Sequence, residues 1–120
     1  MTLEEVMNKQ VFAVVGDTLN KAKFAYQIKE ELLQSDYVTY GVGKELESLN
    51  DIEEEIDIID LCIHPVKGLK LIQECKKSFQ CIVIQPGASN DELLTYLNEN
   101  HLPYIEDCLL IGLKQYPKTK

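Results

Sequence analysis

VFAVVG, Val11 to Gly16, is an apolar run closed by a glycine. A strand covered on both faces reads as a continuous run of this kind, whereas a strand with one wet face alternates. A polar turn follows, Asp17-Thr18-Leu19-Asn20, and the spacing then predicts a helix from Lys21 to Gln34. Ala25, Ile28 and Leu32 share one face of it, with Lys29, Glu30 and Glu31 on the wetter side. A buried strand that feeds a helix through a glycine turn presents backbone N–H groups at the edge of an open α/β sheet. Phosphates bind at such edges.

The rest of the chain repeats this alternation. A second strand is expected over Tyr37 to Val42, closed by Gly43. The segment around Leu46 is a candidate for a short edge strand, and Glu53 to Glu55 make a solvated turn. IDIIDLCI, Ile56 to Ile63, is the next strand, ended by His64-Pro65 because proline disfavours continuation. Val66 to Ser78 reads as a helix with Leu69, Ile72 and Cys75 on one face. Cys81 to Ile84 is a short buried strand, and Pro86-Gly87 turns the chain. Ser89-x-x-Glu92 is a capping-box signature for a helix over Asn90 to Asn100, with Leu93, Leu94 and Leu97 inward. Pro103 to Ile105 is a last strand, and Cys108 to Leu113 a final helical turn. Strands joined through helices imply parallel pairing, so the fold expected is a Rossmann-like three-layer α/β sandwich with a mainly parallel sheet.

Composition narrows the function. At 120 residues and 45% hydrophobic content, one domain with one core is expected across residues 1–120. The net charge of -8 opposes adhesion to nucleic acid or to anionic membranes, both of which need clustered Lys and Arg. No apolar run approaches a membrane span, and the acidic start MTLEEVMNKQ lacks a signal core, so a cytoplasmic location is expected. Cys62, Cys75, Cys81 and Cys108 are widely spaced, which offers no zinc or CxxC site. Cys62, Cys75 and Cys81 read as small core residues.

In open α/β sheets ligands sit outside the carboxyl ends of the strands, where strand order reverses. That rim collects Gly16, Asp17, Thr18, Asn20 and Lys21 after the first strand, and Gly43 and Lys44 after the second. His64, Pro65 and Lys67 follow the third, Gln85, Pro86, Gly87 and Ala88 the fourth, and Glu106, Asp107 and Cys108 the last. Glycine turns and lysines suit a phosphate-bearing ligand. Taken alone, Gly16 is more often a plain tight turn than a phosphate site, and the charge of Asp17 opposes a phosphate. A dinucleotide fingerprint is missing, since Gly16 opens no G-x-G-x-x-G and the second strand ends without an acid. There is no P-loop and no GxSxG elbow. His64 at the rim serves as a ligand contact or as a turn residue, and His101 falls in a surface turn. Asp57 and Asp60, three apart in a strand, face opposite ways. Asp60 within its apolar run is either a partnered buried carboxylate near the switch point or a residue at a polar edge.

VFAVVG, IDIIDLCIHP, IQPGASNDEL and the terminal IEDC, in that order, resemble the stand-alone CoA-binding domain proteins. These are similar to the N-terminal domain of the succinyl-CoA synthetase alpha subunit. The resemblance runs from Val11 to Leu113 and implies non-catalytic binding of CoA or acyl-CoA, or of a related adenine nucleotide. It implies that the turn Gly16 to Lys21 meets the phosphates and that Val42 to Lys44 flank the adenosine. His64-Pro65 and Pro86-Gly87 would line the crevice. The synthetase's catalytic phosphohistidine belongs to a later domain, so no synthetase activity follows. The chain departs from the family's G-x-S with Gly16-Asp17-Thr18, where Thr18 can stand for the serine. It departs from the V-x-P-V-N-P-like turn with Tyr40-Gly41-Val42-Gly43-Lys44, and from Cys-Pro with Cys108-Leu109. The competing expectation is a degenerate Rossmann domain that acts through protein contacts, as a homo-oligomer for example. An enzyme using Cys108 or His64 ranks behind both.

Overall fold

A computed structural model describes residues 1–118. Its element order is α1 (Leu3–Met7), β1 (Val11–Gly16), α2 (Phe24–Gln34), β2 (Val38–Gly43), a 3₁₀ turn (Leu49–Asp51), β3 (Ile58–Cys62), α3 (Pro65–Glu74), β4 (Cys81–Ile84), α4 (Asp91–Glu99), β5 (Tyr104–Glu106) and α5 (Leu109–Gln115). The strands form one parallel sheet in the order β2-β1-β3-β4-β5. The Rossmann-like sandwich read from the sequence is the fold observed.

Two cores lie on opposite faces of the sheet. On one face Ala13, Val15, Ile59, Leu61, Ile82 and Ile84 pack against Leu69 and Ile72 of α3 and Leu93 and Leu97 of α4. The connection from β2 to β3 adds Leu49, Ile52 and Ile56 to this core in place of an α-helix. On the other face Phe12, Val14, Ile58, Cys81 and Val83 lie under Ala25, Ile28 and Leu32 of α2, with Val6 and Met7 of α1 and Leu109 of α5. Strands β1, β3 and β4 have neighbours on both sides and both faces covered, which is why their sequences do not alternate. The edge strands β2 and β5 are half-buried over much of their length and carry Thr39, Tyr40 and Tyr104.

Several boundaries moved, each for a local reason. Helix α2 begins at Phe24 instead of Lys21. Asp17 Oδ1 accepts from the N–H groups of Leu19 and Asn20, and Asn20 Oδ1 accepts from that of Ala22. These side chains hold residues 17–23 as turns, the usual competition of Asp and Asn with helix. Helix α3 ends at Glu74, short of Ser78. Asn50 accepts from Lys76 N–H and donates to the Glu74 carbonyl, closing the helix from outside. Asn90, not Ser89, caps α4 by accepting from Leu93 N–H, while Ser89 Oγ donates to Glu106 at 3.1 Å. The edge strand around Leu46 reduces to a single bridge with Val42. Helix α1, unforeseen, is set by a Thr2–Glu5 capping box and packs on α5, where Met7 lies against Gly112.

Candidate functional site

The chain leaves β1 toward β2 on one side and crosses back to β3 on the other, so strand order reverses between Gly16 and its partner Cys62. Two grooves meet there. The first, of about 490 Å³, runs between the start of α2 and the ends of β3 and β4. It is lined by Asp17, Lys23, Phe24, Ala25, Cys62, His64, Gln85, Pro86, Gly87, Ala88 and Cys108. The second, of about 520 Å³, runs between the ends of β1 and β2 and helix α3, along Gly16, Gly43, Lys44, Glu47, Lys70, Leu71 and Glu74. Asp17, Ile63 and Lys67 line both, so the grooves are continuous across the switch point.

Glycine is required at the turning points. Gly16 has φ +155°, and a Cβ there would lie 2.5 Å from the Cys62 carbonyl oxygen and 2.9 Å from Ala25 Cβ. The close approach of β3 and α2 thus fixes this residue as firmly as its backbone angle does. Gly87 differs. Its φ is +90°, and a Cβ would meet nothing within 4 Å, so the backbone alone demands it and leaves open space at the groove.

Of the residues singled out from the sequence, Gly16, Asp17, Gly43, Lys44, His64, Pro86 and Gly87 come together around the grooves. The others lie behind or beside them. Thr18 is 2% exposed, and its hydroxyl lies against Gly41 and beside the Glu45 carboxylate without a hydrogen bond of good geometry. Val42 is fully buried in the core. Pro65 is buried as the first residue of α3. Asn20 is exposed and spends its side chain on the turn, and Lys21 is exposed outside both linings. His64 caps α3, its Nδ1 accepting from Val66 N–H at 3.2 Å.

Asp17 answers its own electrostatic question. Its carboxylate is folded back onto the amides of its loop, at 3.3 Å from Leu19 N and 3.2 Å from Asn20 N. A side-chain anion therefore occupies the N–H groups that would otherwise face a ligand. The cations of the grooves are Lys23, Lys44, Lys67 and Lys70, set against Asp17, Glu47 and Glu74. Lys23, Phe24 and Lys70 escaped the sequence reading. Phe24 sits one position off the face of Ala25, Ile28 and Leu32, and it is 68% exposed at the groove's mouth. That offset was the available signal.

Beneath the first groove lies the polar residue of the IDIIDLCI strand. Asp60 is fully buried between Val14 and Val83, and burial pushes its carboxyl up to about 7, against the pull of the Cys62 hydrogen bond. The Cys62 thiol donates to Asp60 Oδ2 at 3.0 Å. Burial, then the Asp60 charge, pushes that thiol well above its usual range. Gln85 ties the floor to α5. Its Oε1 accepts from Leu109 N–H at 3.0 Å, and its Nε2 donates to Cys108 Sγ at 3.4 Å. On the far edge Lys29 and Glu45 pair at 2.6 Å. Burial raises the Glu45 carboxyl, but the Lys29 contact and the neighbouring Thr18 hydroxyl outweigh it and hold it below its usual value.

A family of proteins described as a CoA binding domain matches residues 10–114. The chain belongs to the CoA binding domain family. Solved structures with the same fold include Prb, a protein redesigned for binding, at 19% identity and a TM-score of 0.84, covering 100% of this chain and 95% of that one. A hypothetical protein from Pyrococcus horikoshii OT3 matches at 20% identity and a TM-score of 0.81, over 97% and 92% of the two chains. A conserved hypothetical protein from Pyrococcus furiosus matches at 24% identity and 0.76, over 86% and 98%. At these identities the likeness is one of fold. No curated protein matches the chain. Among the described residues no helix is long and apolar enough to cross a membrane, and no cluster of His, Cys, Asp and Glu could hold a metal ion.

Proposed function

We propose that this member of the CoA binding domain family is a single domain that binds CoA, or acyl-CoA, through its ADP portion at the carboxyl edge of the sheet, without catalysing a reaction on it. The observation that carries this reading is the continuity of the two grooves across the switch point, with Lys67 common to both. Lys23, Lys44 and Lys70 add positive charge along the same line. Phosphates seek such lysines as point charges. The fit rests also on Gly87, whose missing side chain leaves the groove open.

In this reading the turn from Gly16 to Lys21 stands nearest the phosphates, with Gly16 and Asp17 at the groove and Thr18, Asn20 and Lys21 shaping the loop. Gly43 and Lys44 flank the adenosine with Val42 buried behind them, and His64, Pro86 and Gly87 wall the crevice with Pro65 buried behind His64. Free thiols at Cys62, Cys75, Cys81 and Cys108 suit a reducing compartment such as the cytoplasm. The charge of -8 sets the protein against nucleic acid as a partner. The test is a thermal-shift titration with CoA, 3′,5′-ADP and pantetheine. Stabilisation by the first two and not the third supports the reading, and no shift at millimolar CoA sinks it.

A second reading has a specific observation behind it. Asp17 already accepts from two amides of the turn, and Leu19 and Phe24 are 63% and 68% exposed. A Rossmann-like module that lost its nucleotide and acts through protein contacts, a second copy included, would carry both features. Absence of CoA binding together with self-association on sizing would favour it.

A further inference from the structure

The floor of the first groove carries a pair of side chains that CoA binding leaves unused. Cys62 ends β3 and lines the groove, and its thiol donates to Asp60 Oδ2 at 3.0 Å. Asp60 is wholly buried with its side chain turned toward that floor, and its Oδ1 has no hydrogen-bond partner among the described residues. A carboxylate within hydrogen-bond reach of a thiol that faces a groove is the arrangement of a nucleophile with its proton acceptor. Two further features bear on what could react there. Phe24, Ala25 and Ala88 make the groove largely apolar, and Cys108 lines it near enough to Cys62 to help raise its thiol.

We propose that Cys62 is a thiol–disulfide exchange site, which takes a small-molecule disulfide into this groove while Asp60 receives the thiol proton. The Cys62 sulfur attacks one sulfur of R–S–S–R as its proton passes to Asp60 Oδ2, so that no free thiolate forms in the buried floor. The Cys62 S–S–R bond forms and the ligand's S–S bond breaks. R–S⁻ leaves with that electron pair and is protonated by water. The ligand's own disulfide is the oxidant, so no other is needed.

Burial raises the Cys62 thiol and so opposes its ionisation, but it favours the overall exchange. Before the step the pair holds a negative charge on Asp60 in an apolar interior, and afterwards Asp60 is neutral and the charge has left with the thiolate. The same floor argues for a disulfide over a thioester. Attack on a thioester builds charge on a carbonyl oxygen and needs amide donors aimed at it. On the floor beside Cys62 the Gln85 Nε2 and Leu109 N–H donors are engaged, the first on Cys108 and the second on Gln85. Exchange at sulfur needs no such hole.

The experiment uses the full chain with 2-hydroxyethyl disulfide and no CoA, followed by acid quench and peptide mass spectrometry, so its failure leaves the CoA reading untouched. The expected result is a mercaptoethanol adduct on Cys62 ahead of Cys75 and Cys81. Asp60→Asn should slow the reaction at Cys62 on the order of 100-fold, the usual worth of a positioned base, with Cys75 unaffected. Adducts confined to the other cysteines, or a rate at Cys62 unmoved by Asp60→Asn, would overturn the proposal. A pH profile of the unmodified sequence decides the same question should the variant not fold. Besides Cys62 itself, the titratable groups around the pair are Asp17, Lys23, His64, Lys67 and Cys108 of the groove, and the sheet neighbours Val14 and Val83 carry none. The Cys62 rate should level off once Asp60 is ionised. A Cys62 rate that climbs throughout with pH contradicts a role for Asp60.

Discussion

Asp60 should make this protein more stable in mild acid than in mild alkali, and Asp60→Asn should abolish that trend. The carboxyl is fully buried and is pushed from an ordinary 3.8 up to about 7. The sign follows from proton counting. Between those two values the folded chain binds more protons at this site than the unfolded chain, so stability falls as pH rises through the window. Below the lower value the site costs nothing. Above the upper one it costs the full shift, on the order of 4 kcal/mol. Between about pH 5 and about pH 8 the change amounts to roughly 2.5 kcal/mol, or roughly 10 °C in Tm for a chain of this size. Urea denaturation of both proteins across that range isolates the effect, because the other ionisable groups are common to both and cancel in the difference. The introduced amide has hydrogens to satisfy, which offsets part of the gain by about 1–3 kcal/mol at every pH. The informative quantity is therefore the divergence of the two curves, not their offset. Cys62→Ala should displace the midpoint upward, since its thiol holds Asp60 down. Parallel stability curves for the unmodified chain and the Asp60→Asn variant would show that the carboxyl titrates normally and that burial does not hold its proton on.

Asp17→Ser should tighten CoA binding several-fold, by about 1 kcal/mol, by removing a like charge from the turn and freeing its amides; calorimetric titration reads this directly. Lys67→Ala should weaken CoA binding by about 1 kcal/mol, and the loss should shrink as salt rises, which fluorescence competition at two ionic strengths would resolve. Gly16→Ala should destabilise the fold by about 3 kcal/mol or more, since its Cβ would lie 2.5 Å from a backbone oxygen; a loss below about 1 kcal/mol in chemical denaturation would mean that β3 yields easily.

How much of this was legible beforehand depends on how far apart the cooperating residues lie in the chain. The strands were readable because burial on both faces leaves its mark locally, as in Val11 to Val15 and Cys81 to Ile84. The boundaries that moved were set by side-chain hydrogen bonds, some of them reaching from elsewhere. Nothing in the sequence around Glu74 reveals that Asn50 closes α3. The late start of α2 was closer to legible, since Asp17 and Asn20 are the residues that compete with helix locally. The rim rule found the grooves because strand ends are fixed by the sheet, yet it could not separate residues facing the groove from those behind it. Thr18 and Asp17 are adjacent, and one hydroxyl goes inward while its neighbour lines both grooves. That choice is made by the loop's own hydrogen bonds.

Asp60 shows where the two kinds of information meet. An acid inside IDIIDLCI was visible as an anomaly, and the period of two put it opposite Asp57. The structure gives the two acids contrasting roles. Asp57 accepts from the N–H groups of Gln10 and Val11 and from Gln80, so it clamps the amino ends of β1 and β3 together. Asp60 has a single thiol for a partner and one oxygen without any among the described residues. A carboxylate kept only for stability would be satisfied as Asp57 is, because a buried acceptor left unmade costs about 1–3 kcal/mol. The deficit sits two residues from the end of a strand that lines a groove, and a fold that tolerates the cost there, and not at Asp57, is holding a proton acceptor under its site.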